Sequence, residues 1–335
     1  MKKVLFVSSF LSGIHQTKDV AETISEKLVD YGIASKLVSF KKNKFLRLLD
    51  IVYNIIVFRG EFIHLHTFSD QAFKLVIIAS YIARVKKKKI IFTLHGGKLP
   101  KFENENKRRV YRTLSQAYRI LTPSLFLKSH FETQNYSVEY LPNPIDLSKF
   151  PFKEKTEDKS HKILWVRAFV DFYNPEIAIL TLFEVHKKYP NASLTMIGPD
   201  RGLLVKCKEL IFKLNLQDFV VLTGPISNDL LYSYYQTHDV YLNTTSYESF
   251  GLALMEAASC GIPIVSSGVG EIPYLWEDKK TMMISSELNS VEFSYKIIEL
   301  FSDYSLKTRI IQNARLLAMN YDIEKIGLKW LKILQ

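Results

Sequence analysis

Two glutamates frame the stretch of this 335-residue chain that is best suited to chemistry. Glu248 and Glu256 stand eight residues apart in Tyr247-Glu-Ser-Phe-Gly-Leu-Ala-Leu-Met-Glu-Ala257. That is a little over two turns if both were helical. At such a distance they cannot share one proton or one metal ion. Each can instead accept hydrogen bonds from hydroxyls at opposite ends of an elongated ligand. Between them the amides of Ser249, Phe250, Gly251 and Leu252 read as the first free donors of a helix, and a helix start favours a diphosphate. Gly251 removes the side chain that would block close approach. The plainer reading is two solvated glutamates, one ahead of a helix and one in its middle.

A second constellation is Thr93-Leu-His-Gly-Gly97, where His95 closes a strand and small residues follow. A polar group at a strand's carboxyl end is well placed for binding or proton chemistry. His64 and His66 alternate on one strand and therefore share a face, which fits a packed or partly exposed role. Ser9-Phe-Leu-Ser-Gly13 offers one glycine, Gly13, at the turn after the first strand. It is no Gly-x-Gly-x-x-Gly fingerprint, which argues against a nicotinamide or flavin enzyme. No Asp-x-Asp occurs, and Cys207 and Cys260 have no neighbours at ligand spacing. No metal and no cofactor are therefore expected.

Both constellations need strands to carry them. Strands are expected over residues 3–8, 34–40, 62–67, 89–94, 120–122 and 138–141, with helices such as 18–31 and 70–83 between them. Short β-rich runs separated by helices imply βαβ units and a parallel sheet. A charged segment without hydrophobic period, 153–162, reads as a linker. The alternation then restarts with strands over 163–169, 193–197, 220–223, 240–243 and 263–266, and a helix over 250–259. The fold class expected is α/β, with two consecutive doubly wound Rossmann-like domains. The domains are set at residues 1–155 and 156–318, and an amphipathic helix occupies the last stretch, 319–335. Hydrophobic residues make up 47% and charged residues 24%, which excludes a disordered chain. The start, Met1-Lys-Lys-Val-Leu-Phe-Val7, is too short an apolar run for a signal peptide and reads as a buried strand. Two isolated cysteines fit a reducing cytoplasm.

The motifs taken together resemble glycosyltransferase family 4, the retaining enzymes of the GT-B type. The resemblance rests on Glu248-Ser-Phe-Gly-Leu-x-x-x-Glu256-Ala, then Cys260-Gly-Ile-Pro-Ile-Val and Gly268-Val-Gly-Glu-Ile-Pro. Thr223-Gly224-Pro225 and His238-Asp-Val240 are similar to the segments leading up to that signature. Asn143-Pro-Ile-Asp146 is similar to the family's Asn-Gly-Val-Asp segment. The resemblance implies two Rossmann-like domains facing across a cleft and a nucleotide-diphosphate sugar as co-substrate. It implies that Glu256 holds the donor ribose and Glu248 the transferred sugar. The amides of Phe250, Gly251 and Leu252 would face the diphosphate, and His95 would touch the donor sugar. Gly13, Gly224, Asn143 and Ser249 are implied as further donor contacts. It also implies that the final helix returns to the first domain. The family carries an Arg just after the first strand of its second domain and a Lys five residues later. Here, aligned on Asn174-Pro175, Arg167 falls one position early and Tyr173 takes the Lys position. The phosphate contacts are therefore expected from Arg167, Tyr173 and the helix start.

The charge is divided unevenly. Residues 1–150 hold 25 Lys/Arg and 12 Asp/Glu, whereas residues 151–335 hold 20 and 22. Three basic clusters account for the excess: Lys41, Lys42, Lys44 and Arg47; Lys86 to Lys89; and Lys107, Arg108, Arg109 and Arg112. Solvated faces would be the plain reading, but three clusters in one domain point to an anionic membrane surface, with residues 40–56 as docking element. No reading motif for nucleic acid accompanies the charge. The sequence thus leads to a transferase acting on a glycan or lipid-linked acceptor in surface polysaccharide assembly, cytoplasmic and peripheral on the inner face of the plasma membrane. The alternatives are a sugar-nucleotide epimerase and a non-catalytic sugar-nucleotide-binding subunit.

Overall fold

Six short strands of the first half pair in parallel: β1 (Lys3–Val7), β2 (Ala34–Val38), β3 (Phe62–Thr67), β4 (Lys89–Leu94), β5 (Arg119–Thr122) and β6 (Glu139–Tyr140). Their order in the sheet is β2-β1-β3-β4-β5-β6. Six more make a second parallel sheet: β7 (Lys162–Val166), β8 (Ser193–Ile197), β9 (Val220–Gly224), β10 (Val240–Asn243), β11 (Ile264–Ser267) and β12 (Met283–Ser285). Their order is β12-β11-β10-β7-β8-β9. The computed structural model describes residues 2–10, 19–154 and 160–335. Gly13 lies outside the described residues.

Helices cover the sheets. Those of the first half are α1 (Val20–Asp30), α2 (Lys44–Val57), α3 (Asp70–Val85), α4 (Leu99–Glu105), α5 (Lys107–Leu114) and α6 (Leu125–Thr133). Those of the second are α7 (Pro175–His186), α8 (Leu204–Lys213), α9 (Asn228–Thr237), α10 (Leu252–Cys260), α11 (Ile272–Leu275), α12 (Ser290–Ser302) and α13 (Tyr304–Ala318), followed by α14 (Ile323–Ile333). Their starts are legible in side-chain chemistry. Asp19 accepts from the Ala21 N–H at 2.8 Å while Glu22 accepts from the Asp19 N–H at 2.7 Å, a reciprocal capping box for α1. Asn43 caps α2 by accepting from Phe45 and Leu46.

The chain divides into two compact units, Met1–Pro144 with Ile323–Gln335, and Ile145–Asp322. The expected boundary at 155/156 therefore moves to Pro144/Ile145. The reason is that residues 145–153 are tied into the second unit. The Ile145 N–H donates to Tyr321 O at 2.8 Å and the Lys153 N–H to Cys260 O at 3.1 Å. Gln236 also donates to the Pro151 carbonyl at 2.6 Å. Within the first unit α14 packs on α1, and Lys27 bonds Glu324 at 2.6 Å. Trp330 meets His64 edge-on at 5.0 Å and Phe6 at 5.8 Å.

Both faces of the first sheet are buried, as parallel sheets require. Ile63 and Leu65 of β3 pack in one layer with Phe73, Val76 and Phe92. Phe62 faces the other way, with Phe6, Ile91 and Trp330. In the second unit Trp165, Leu194, Leu242 and Val265 anchor one core. Strand β12 was not expected from the sequence, and β2 and β7 end earlier than expected. Among the described residues no helix is long and apolar enough to cross a membrane.

Candidate functional site

In the second sheet strand order reverses between β7 and β10, the first and fourth strands of that unit. Such a switch point splays the following loops apart and opens a crevice at the strands' carboxyl ends. Arg167 is the first residue beyond β7, and Asn243 is the last of β10. The Arg167 Nε donates to Asn243 Oδ1 at 3.1 Å, and its Nη2 to Glu248 Oε2 at 2.5 Å. Asn243 is fixed in turn by donating to Ser266 Oγ at 2.9 Å. Sequence reasoning missed Asn243; its only signal was a polar residue closing a buried strand.

Two glycines let the backbones holding this pair come close. A Cβ on Gly198 would lie 1.8 Å from Arg167 O. One on Gly270 would lie 2.1 Å from Glu248 O, and Gly270 has φ +59 besides. The Glu271 N–H donates to Glu248 O at 2.8 Å. The Arg167 and Glu248 side chains retain only 12% and 10% of their exposure. Burial is the largest single influence and opposes the guanidinium charge, but Glu248 together with Tyr241, Tyr173 and Tyr235 outweighs it, so the Arg167 pKa is raised.

Tyr173 sits where the sequence expected a phosphate contact, and its ring lies 5.1 Å from the Arg167 guanidinium. Its loop is stitched to the segment after β10. Thr244 Oγ1 donates to Tyr173 O at 2.7 Å, and Asn174 donates to Thr244 O and Ser246 Oγ, each at 2.8 Å. Burial raises the Tyr173 pKa. It is therefore a neutral ring against a cation and not a second positive charge.

Helix α10 starts later than expected. Gly251 is its N-cap, with φ +87, and Leu252 its first residue. The first amide that bonds back to Gly251 O is that of Leu254, at 3.0 Å. The amides of Gly251, Leu252 and Ala253 thus form the open end of the helix. The Ser249 N–H instead approaches Glu248 Oε1 at 3.2 Å, and the Phe250 side chain is 2% exposed against Tyr321. Glu256, one turn in, accepts from the Tyr235 hydroxyl at 3.1 Å. Burial is the main cause pushing its pKa up to about 7, against the Tyr235 bond and Arg167, which lower it. Each glutamate therefore has its own partner, as their spacing required. Gly224 ends β9, and its carbonyl accepts from the Gly198 N–H at 3.0 Å, with β7 and β8 between that strand and β10.

The first unit gathers a separate group. His66 stacks on His95 at 4.8 Å, His64 lies 4.8 Å from His66, and Phe68 also stacks on His95, at 5.2 Å. His64 Nε2 meets Thr93 Oγ1 at 2.6 Å. Asn143 borders the same small cavity. Burial pushes His95 down to about 3 and His66 to about 4, and His64 falls well below its ordinary value. All three rings are neutral near pH 7. His64 and His66 are buried, not partly exposed. Among the described residues no three His, Cys, Asp or Glu side chains are grouped to hold a metal ion.

The profile of the family described as glycosyl transferases group 1 matches residues 147–317. One component of the phosphatidylinositol N-acetylglucosaminyltransferase of Arabidopsis thaliana is 26% identical over 200 residues, 54% of this chain and 44% of that protein. The GtfA subunit of the UDP-N-acetylglucosamine–peptide N-acetylglucosaminyltransferase of Streptococcus parasanguinis is 25% identical over 244 residues, 68% of this chain and 45% of that protein. The chain thus spans less than half the length of these curated relatives. Among solved structures, Anabaena HepE in complex with UDP and glucose aligns over 100% of this chain and 99% of its own, with TM-score 0.79 and 16% identity. At that identity the likeness speaks for the two-sheet GT-B fold alone.

Proposed function

This chain belongs to the glycosyl transferases group 1 family, and from that premise we propose that it moves a sugar from a nucleotide-diphosphate donor to a glycan or lipid-linked acceptor. The transfer would retain anomeric configuration and need no metal ion. The observation that carries this reading is the Arg167–Glu248 pair, held by Asn243 beside the open end of α10 at the switch point of the second sheet.

Arg167 and Glu248 neutralise each other. A donor would exchange those partners. Phosphate oxygens take the guanidinium and the amides of Gly251, Leu252 and Ala253, and sugar hydroxyls take the Glu248 carboxylate. Glu256 accepts from the ribose hydroxyls. Charge building on the departing diphosphate then meets preorganised donors, each worth roughly 3–4 kcal/mol in comparable sites. The acceptor hydroxyl enters on the face the diphosphate leaves.

HepE was crystallised with UDP and glucose, which supports uridine-diphosphate sugars as the first donors to try. A thermal-shift panel of UDP-, GDP- and ADP-sugars tests the donor, because a ligand selective for the folded state raises its melting temperature. Glu256→Ala should weaken nucleotide-sugar binding, and Glu248→Ala should abolish transfer with a smaller loss of nucleotide affinity. Normal turnover in both variants would sink the assignment. Tight binding without turnover on any acceptor would favour the non-catalytic reading.

The exposed side of α2 supports a peripheral membrane position, with a role in surface polysaccharide assembly. Phe45, Leu49, Tyr53 and Ile56 recur at helical spacing and are 67, 50, 64 and 48% exposed, with Lys41, Lys42 and Lys44 at the helix start. Sedimentation with anionic vesicles should be strong at low salt and weak at high salt. Indifference to lipid charge would refute the membrane reading.

A further inference from the structure

A cavity of about 370 Å³ opens between α3 and α5 of the first unit, within the size range of small-molecule sites. Arg108, Arg109 and Arg112 of α5 line one side, with Gln116 just past the helix. Ile77 and Tyr81, one turn apart on α3, make an apolar and aromatic wall opposite in character. No carboxylate lines the cavity. It shares no residue with the group around Arg167 and Glu248 or with the histidine group.

Three arginines at this spacing strain the helix that carries them. Arg112 is a helical neighbour of both Arg108 and Arg109, and like charges so placed are destabilising. Two of them also stand at the unfavourable end. Lys107, Arg108 and Arg109 are the first three residues of α5, where the helix dipole favours negative charge. The N-cap, Asn106, makes no side-chain cap bond. Nearby acids are engaged elsewhere. Glu105 pairs with Lys101 at 3.9 Å, Glu132 with Lys128 at 2.6 Å and Glu139 with Arg119 at 2.7 Å, while Glu103 lies 3.4 Å from His130. Residues 99–140 hold no other acid. Among the described residues none of the three guanidinium groups makes a hydrogen bond or an ion pair.

Two further groups on the cavity lack partners. Gln116 donates from Nε2 to Arg112 O at 2.8 Å, but its Oε1 is buried without a donor. The Tyr81 side chain is 60% exposed. Guanidinium groups suit phosphate, whose oxygens accept their paired N–H bonds. An open phenol ring suits the flat face of a base. An acceptor without a donor suits a hydroxyl or amino group. A flat anionic surface would leave the cavity unfilled and Gln116 unmatched.

We propose that this cavity is a nucleotide site separate from the one around Arg167, and that it binds a nucleoside polyphosphate with its phosphates on Arg108, Arg109 and Arg112 and its base against Tyr81. The site goes beyond the transferase reading and stands whether or not the chain transfers a sugar.

Titration calorimetry of the full chain with ATP, inorganic triphosphate and adenosine tests it. ATP is expected to bind at least tenfold more tightly than either fragment. The double variant Arg108→Gln, Arg112→Gln should lose at least tenfold for ATP and keep the parent's melting temperature. Tyr81→Ala should bring ATP down to the level of inorganic triphosphate. Equal binding of triphosphate and ATP by the parent would overturn the nucleoside assignment. Unchanged ATP affinity in the arginine variant would remove the cavity from consideration. Displacement of ATP by a nucleotide sugar would put ATP in the donor site and overturn a separate one. Binding of anionic vesicles that the arginine variant loses, with no binding of ATP, would overturn the nucleotide in favour of a lipid surface. ATP binding in a protein that responds to no nucleotide sugar would keep this site and remove the transferase.

Discussion

Glu256→Gln isolates the free energy stored in one half-buried carboxyl group. Burial raises the Glu256 pKa from 4.5 to about 7. A raised acid contributes stability in its neutral form. That contribution is complete below pH 4.5, is lost progressively as pH rises, and is gone above about pH 7. A change from 4.5 to about 7 at about 1.4 kcal/mol per unit corresponds to roughly 3 kcal/mol. Glutamine keeps an oxygen that can accept from the Tyr235 hydroxyl, bonded here at 3.1 Å, and removes the titration. The variant should therefore match the parent near pH 4.5 and exceed it by roughly 3 kcal/mol at pH 8. For a unit the size of Ile145–Asp322, that is a melting-temperature gain of roughly 6–12 °C. Differential scanning calorimetry of both proteins from pH 4.5 to 8 reads the difference directly. Subtracting the parent curve cancels the other titrating groups. The same substitution should weaken nucleotide-sugar binding, since a carboxylate accepts ribose hydroxyl bonds more strongly than an amide does. Parent binding should correspondingly strengthen as pH rises through 7. A stability difference that is flat across this range would refute the placement of Glu256 as a desolvated acid.

Arg167→Ala should cost roughly 3–5 kcal/mol in chemical denaturation, because it strands the Glu248 charge in a buried site. The double variant Arg167→Met, Glu248→Leu should recover most of that stability and none of the turnover. Gly270→Ala should cost at least about 2 kcal/mol, since the new methyl meets Glu248 O in a left-handed backbone; a melting curve like the parent's would show that the Glu248 turn is not held as described. Trp330→Ala should cost roughly 3–5 kcal/mol, and hydrogen exchange should rise in α1 and around His64, which Trp330 covers.

How much of this was legible in the chain depends on where each partner lies. The parallel strands and their doubly wound order follow from alternation that any window of the sequence displays. Strand β12 escaped because Met283–Ser285 is three residues long and has no period to read. The unit boundary was sought in the charged stretch 153–162, where composition shifts, yet backbone and amide bonds to Cys260 and Gln236 tie its approach to the second unit. Asn243 and Tyr235 were invisible for another reason. They lie 76 and 21 residues from Arg167 and Glu256; sheet order brings the first pair together, and the packing of α9 on α10 the second.

Arg167 makes the sharpest case. Counted back from Asn174-Pro175, it stands one position early, which reads as a displaced cation. Counted from the sheet, it is the first residue beyond β7, at the strand pair where order reverses. The Gly198 contact and the Asn243 bond hold it there, and its guanidinium reaches Glu248. A spacing measured along a loop can slip by one residue when the path of the loop differs, and the path of residues 170–174 is set here by bonds to Thr244. A spacing measured from a strand end cannot slip without flipping every side chain of a buried strand to the other face. The strand end is therefore the firmer reference for this site. By that reference Arg167 stands directly at the end of β7, and Tyr173 sets an aromatic ring 5.1 Å from its guanidinium.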